Sequence, residues 1–130
     1  MTVNFQDVLK LNLPVGSYAI FGSGPMAVRG IREANDIDLV VPQKLWDEYA
    51  KKYPENIKKG YDLNVDGISL IADWKPYITD TAPLINNPDI IHGLPFVKLD
   101  YLILFKRALG REKDIADLKL IEAYLANGAR

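Results

Sequence analysis

Two short apolar runs, each cut off by a residue that cannot continue a strand, set the strongest limit on how this chain can fold. "SYAIF" stops at Gly22 and "IDLVV" stops at Pro42, and each stop is followed by helix signals. Ser23 can cap a helix whose first turn accommodates Pro25. Pro42 can itself open the helix "QKLWDEYAKKY", with Leu45, Tyr49 and Tyr53 along the inner side and Trp46 beside them. The first half therefore reads as strand, tight turn, helix, then strand and helix again. Ahead of it, "NFQDVLKL" is expected as a short helix with Phe5, Val8 and Leu9 inward.

Farther on, "GYDLNVDGISLIAD" reads as two strands joined at Asp66-Gly67, a pair suited to tight hairpin turns. "WKPYITDTAPLINNPDIIHGLP" is too interrupted by Pro, Asn and Asp to form one regular element, and is expected as a loop or short helix. "FVKLDYLILFKRALG" predicts a helix stopped by Gly110, with Tyr101, Leu104 and Phe105 buried. A second helix follows, with Ile115, Leu118, Ile121 and Leu125 at helical spacing. At 130 residues without internal repeats, the chain is expected to be a single α+β domain over residues 1–130.

Composition removes several chemistries. The chain has no cysteine, which excludes disulfides, thiolate metal sites and cysteine nucleophiles. Its one histidine, His92, falls in a loop-like "DIIHGLP", so neither a histidine metal site nor a Ser-His-Asp system is expected. A formal net charge of -1 gives no general attraction to nucleic acid. No stretch approaches the roughly 20 apolar residues that span a bilayer, and "MTVNFQDVLKL" is not a leader sequence, so a cytoplasmic location is expected.

What remains is an unusual pair of carboxylates. Asp36 and Asp38 stand two apart at the start of a strand, so both project to one face while Ile37 and Leu39 pack on the other. Two adjacent anions repel, and either solvent or a cation must offset that. Oxygen donors of this kind suit Mg²⁺ carried partly by substrate phosphates. The plainer alternative is an exposed strand entrance that accepts backbone hydrogen bonds. The turn Gly22-Ser23-Gly24 favours the first reading, because glycines let the backbone approach an anion and the Ser23 hydroxyl can assist. Neither a Walker A pattern nor a GxGxxG fingerprint is present.

"FGS" followed by "DID" on the next strand resembles the nucleotidyltransferase superfamily typified by DNA polymerase beta and by small bacterial nucleotidyltransferases. The tail "LDYLILFKRALGREKDIADLKLIEAYL" is similar to bacterial nucleotidyltransferase-like proteins related to abortive-infection toxins; the two stretches cover roughly residues 18–42 and 96–125. The resemblance implies a nucleotidyltransferase-like mixed β-sheet with packed helices and a C-terminal helical pair. It implies that Gly22 and Ser23 grip phosphates, and that Asp36 and Asp38 are catalytic carboxylates binding Mg²⁺ or Mn²⁺. It also implies an NTP substrate, transfer of its nucleoside monophosphate to a hydroxyl of RNA, protein or a small molecule, and a companion helical protein as a partner. In the tail it matches Lys106, Arg111, Lys113 and Asp114.

The pattern breaks at the third carboxylate. The strand that should carry it, "GISLIADW", has Ser69 at its centre. Asp73 shares the parity of Ser69 and is the candidate third catalytic residue, although it lies roughly 13 Å farther along an extended strand; Asp66 precedes the strand by a turn. Lys106, Arg111 and Lys113 can reach phosphates or pair with Asp114 and Asp117. Arg29 can contact the triphosphate with Arg32, or both can cover a solvated helix end. Trp46 and Trp74 read as packing anchors, with Trp74 near the acceptor side. The competing reading, supported by Ser69, is a catalytically silent nucleotide-binding or regulatory module.

Overall fold

The structure, a computed structural model, describes residues 3–128. Strand β1 (Ala19–Phe21) pairs antiparallel with β2 (Ile37–Val40), and β2 pairs in parallel with β5 (Ile68–Ile71). The hairpin of β4 (Asp62–Val65) with β5 turns at Asp66-Gly67, both with positive φ, as the Asp-Gly pair predicts. These strands sit in a seven-stranded mixed sheet of order β3-β4-β5-β2-β1-β7-β6.

Strand β3 (Ile57–Lys59) and the hairpin β6 (Asp89–Ile91)–β7 (Leu94–Phe96) depart from the sequence expectation. The segment expected as a loop or short helix holds α3 (Ala82–Asn86) and this hairpin. Pro88 and Pro95 argue against strands, but Pro88 lies just ahead of the edge strand β6, and Pro95 on β7 stands next to the single β1–β7 register pair Ile20–Phe96, at the end of that short ladder. His92 and Gly93 take the two left-handed positions of its turn.

Strand parity divides the core. Ile20, Leu39, Leu63 and Leu70 face the opening 3₁₀ turn (Phe5–Leu11) and α2 (Gln43–Lys52). Phe21, Val40 and Ile71 face the other way, toward α4 (Leu99–Leu109) and α5 (Glu112–Ala126). Several expected inward positions shift. The opening segment is a 3₁₀ rather than an α-helix, with Val8 buried and Leu9 exposed. In α2 the anchor is Trp46, whose Nε1 donates to the Leu70 carbonyl at 3.0 Å, and Tyr53 is exposed. In α4 the buried positions are Leu99, Leu102 and Lys106, while Leu104 is exposed, as is Ile115 in α5. Among the described residues no helix is long and apolar enough to cross a membrane.

Candidate active site

The antiparallel register sets Phe21 opposite Asp38, so the turn that leaves β1 emerges beside the aspartate. Gly22 has φ +66°, and a Cβ on it would stand 2.5 Å from Asp38 Oδ2. Only glycine avoids both the left-handed strain and that clash. Gly22→Ala is accordingly expected to lower stability by about 1–3 kcal/mol and to displace the Asp38 carboxylate, with thermal denaturation reading the first effect. Helix α1 (Gly24–Ala27) is a single turn, and Ser23 at its N-cap makes no side-chain capping bond, which leaves its hydroxyl available.

Gly22, Ser23, Asp36 and Asp38 open onto one cavity of about 300 Å³. Burial pushes Asp38 up to about 6, the charges of Asp36 and Asp62 add to the rise, and Lys106 and Lys113 oppose it. The far wall is aromatic: Tyr61 stacks on Trp74 with centroids 4.1 Å apart and planes 7° from parallel, and Phe105 meets Trp74 edge-on at 5.5 Å. Trp74 is thus a wall of the cavity as well as a packing residue.

The third side is built by α4 and α5 through ions rather than an apolar stripe. Lys106, Asp114 and Asp117 are all buried at their interface. Lys106 Nζ lies 2.9 Å from Asp117 and 3.8 Å from Asp114. Arg32 grips both oxygens of Asp117 at 2.8 and 2.9 Å, and Arg111 Nε donates to Asp114 at 2.7 Å. Burial alone would raise Asp117, but hydrogen bonds from Arg32 and Lys106 outweigh it and hold the carboxyl below its usual range. Of the three basic tail residues singled out in the sequence, two are therefore paired with these aspartates. Lys113 is exposed on the cavity and, among the described residues, makes no ion pair.

Two expected site residues stand elsewhere. Arg29 is turned away from the aspartates, with Nη1 donating to the Pro25 carbonyl at 2.8 Å and Nη2 to Asp89 at 2.7 Å. Asp73 lies beyond the end of β5 and outside the cavity lining, and its backbone N–H donates to Gln43 Oε1 at 3.1 Å. β5 ends at Ile71; the Ala72 N–H still donates to the Tyr61 carbonyl, and Trp74 then bridges to Ile78. Asp62, at the start of β4, does line the cavity, although sequence reasoning passed over it. The signal was the "DLNVDGISLI" hairpin, whose register sets Asp62 opposite Ile71, two residues past Ser69. Among the described residues, no three carboxylate or imidazole side chains are gathered closely enough to enclose an ion.

No protein-family model matches the sequence, and no curated protein matches it. Among solved structures, the chain is similar to the crystal structure of a Thermotoga maritima protein provisionally named a nucleotidyltransferase. The two are 18% identical, with a TM-score of 0.55 over 95% of this chain and 93% of the other. The fold is nucleotidyltransferase-like. The central mixed sheet, its flanking helices and the terminal pair α4–α5 belong to that nucleotidyltransferase-like architecture. At this identity the likeness concerns the fold, and the chemistry has to be argued from the side chains.

Proposed function

We propose that this protein transfers a nucleoside monophosphate from an NTP to an acceptor hydroxyl, using a divalent metal at Asp36 and Asp38. The observation that carries the reading is the register of β1 with β2, which sets the glycine turn at Gly22-Ser23 against a half-buried carboxylate in a shared cavity. The donors fit Mg²⁺, which is bound through one or two carboxylates plus substrate phosphates and keeps several waters rather than needing a closed protein cage. When bound, the ion supplies charge stabilisation at the phosphoryl oxygens and lowers the pKa of an attacking hydroxyl.

The chain's own residues do the remainder. Gly22 leaves room for the Asp38 carboxylate against the backbone, Ser23 donates its hydroxyl to phosphate oxygens, and Lys113 offers a mobile charge at the cavity rim. The acceptor hydroxyl gives up its proton to solvent and its oxygen forms a bond to the α-phosphorus as the bond to the bridging oxygen breaks and pyrophosphate leaves. Tyr61 and Trp74 close one side of the space in which this happens and limit the water that can compete.

A second reading, nucleotide binding without transfer, is favoured by one observation: the residue paired directly with Asp38 on β5 is Ser69. The two readings share a first test. Titrating the protein with each Mg²⁺-NTP should produce saturable NMR shifts from Gly22 to Asp38 that vanish in Asp36→Asn/Asp38→Asn. Unchanged shifts in the double variant would place the nucleotide elsewhere. Release of pyrophosphate from the bound NTP then separates transfer from silent binding.

A further inference from the structure

The cavity is divided by chemistry. One side holds the Gly22-Ser23 turn, Asp36, Asp38 and Lys113, and the other holds Tyr61, Trp74 and Phe105. A run of rings joins the two. Phe21, next to the glycine turn, meets Phe105 with centroids 4.8 Å apart, Phe105 meets Trp74 at 5.5 Å, and Trp74 stacks on Tyr61 at 4.1 Å. Packing accounts for Phe21, which is buried, and for Trp46, which is buried with its indole N–H spent on the Leu70 carbonyl. It does not account for Tyr61 and Trp74, which stay partly exposed on the cavity.

These two residues are also held in place. The Tyr61 carbonyl accepts from the Ala72 N–H at 3.1 Å, and the backbone of Trp74 is clamped to that of Ile78 by two bonds of 2.8 and 2.7 Å. Tyr61 stands in the turn between β3 and β4, and among the described residues Trp74 is the one ring that stacks on it. Its second face is left without an aromatic partner. The sheet order puts β4 two strands from β2, roughly 10 Å at the usual spacing between strands. A ribose bridges most of that gap between a phosphorus held near Asp38 and a flat base at Tyr61.

We infer that Tyr61, backed by Trp74, is the platform on which the base of the bound NTP stacks, and that the site favours purine over pyrimidine nucleotides. The inference rests on the metal-dependent reading above and deepens it by giving the base a place. A nucleotide has the same division as the cavity, with charge at one end and a neutral ring system at the other. Stacking on an aromatic side chain accepts any base, because each has a π-face. The two fused rings of a purine cover more of the Tyr61 ring than a single ring does, so they gain more from the contact.

Calorimetric titration of the full chain with Mg²⁺-ATP, Mg²⁺-UTP and Mg²⁺-tripolyphosphate tests this. The three ligands share the phosphate chain and differ in the base. ATP is expected to bind about tenfold more tightly than tripolyphosphate, with UTP between them. Tyr61→Ala should bring ATP down to the affinity of tripolyphosphate and leave tripolyphosphate where it was, which also shows that the variant is folded. Tyr61→Phe keeps the ring and should keep the preference for ATP. If the unmodified chain binds ATP and tripolyphosphate equally, or if Tyr61→Ala weakens both by the same factor, the platform is overturned while the metal and phosphate site stands. If none of the three ligands binds, the metal-dependent reading fails and the platform fails with it.

Discussion

Asp38→Asn is expected to abolish Mg²⁺-NTP binding and, in the same protein, to raise the stability of the ligand-free fold. Burial and the neighbouring charges of Asp36 and Asp62 push the folded-state pKa of Asp38 up to about 6, from 3.8 for the free side chain. A raised acid is favourable to the fold while it is protonated. Its contribution is complete below the unfolded value and is lost as pH rises through the folded one. Above pH 6 the ionised carboxylate therefore works against folding, and replacing it with the neutral amide should add about 2 kcal/mol. Near pH 4 the wild-type side chain is itself largely neutral, so the advantage should shrink toward zero. Chemical denaturation at pH 4 and pH 7.5 measures both limits, and equal stability of the two proteins at pH 7.5 would show that Asp38 is not strained by its surroundings. The same ionisation gives nucleotide binding its pH dependence. Mg²⁺-NTP affinity should strengthen as pH rises through about 6, because the metal needs the carboxylate rather than the acid.

The opposite sign is expected at the α4–α5 junction. Asp117→Ala would leave Lys106, whose side chain is 8% exposed, with only Asp114 at 3.8 Å, and would free the Arg32 guanidinium. Breaking a buried ion pair by removing one partner costs about 3–5 kcal/mol, since the remaining charge stays desolvated. For a domain of this size that corresponds to a fall in melting temperature of about 10 °C or more. Asp117 is held low in the folded state, so its contribution is present above the unfolded value and is lost as pH falls through the folded one. The gap between Asp117→Ala and the unmodified protein should accordingly be widest near neutrality and narrow in acid. A variant that melts within a degree or two of the parent at pH 7 would mean that this network is not what holds the terminal helix in place. Arg32 joins the network from the segment just before Asp36, so a loosened α5 should also broaden the NMR signals of the β2 entrance.

These two predictions mark where sequence reasoning was strong and where it was not. The alternation of strand and helix over residues 17–53, the Asp-Gly hairpin and the helix stop at Gly110 were legible because each rests on local backbone preference. Gly22, Asp66, Gly67 and Gly110 all adopt the positive φ those turns require. Asp36, in the bend just ahead of β2, and Asp38 on the strand both line one cavity. The tail was read less well. Its apolar spacing suggested a greasy stripe on α5, but Asp114 and Asp117 are the buried residues on that helix together with Ile121. A sequence does not show that an acidic residue has a buried lysine waiting for it on the preceding helix.

Asp73 shows the same limit more sharply. Position along one strand made Asp73 the natural choice, since it shares the parity of Ser69. Which residue reaches a cavity depends instead on where a strand ends and on what lies beside it in the sheet. β5 ends at Ile71 and Trp74 turns to bridge with Ile78, whereas Asp62 reaches the cavity lining from a neighbouring strand through an antiparallel register. By itself the sequence determined strands β1, β2, β4 and β5, the Asp-Gly turn, the stop at Gly110 and the terminal helix pair, because those follow from interactions within a few residues. Only the tertiary structure decided which distant charges meet, with Lys106 on Asp117, Arg29 on Asp89 and Asp62 in the shared cavity. Such meetings are fixed by strand order and helix packing over tens of residues, and no local preference encodes them.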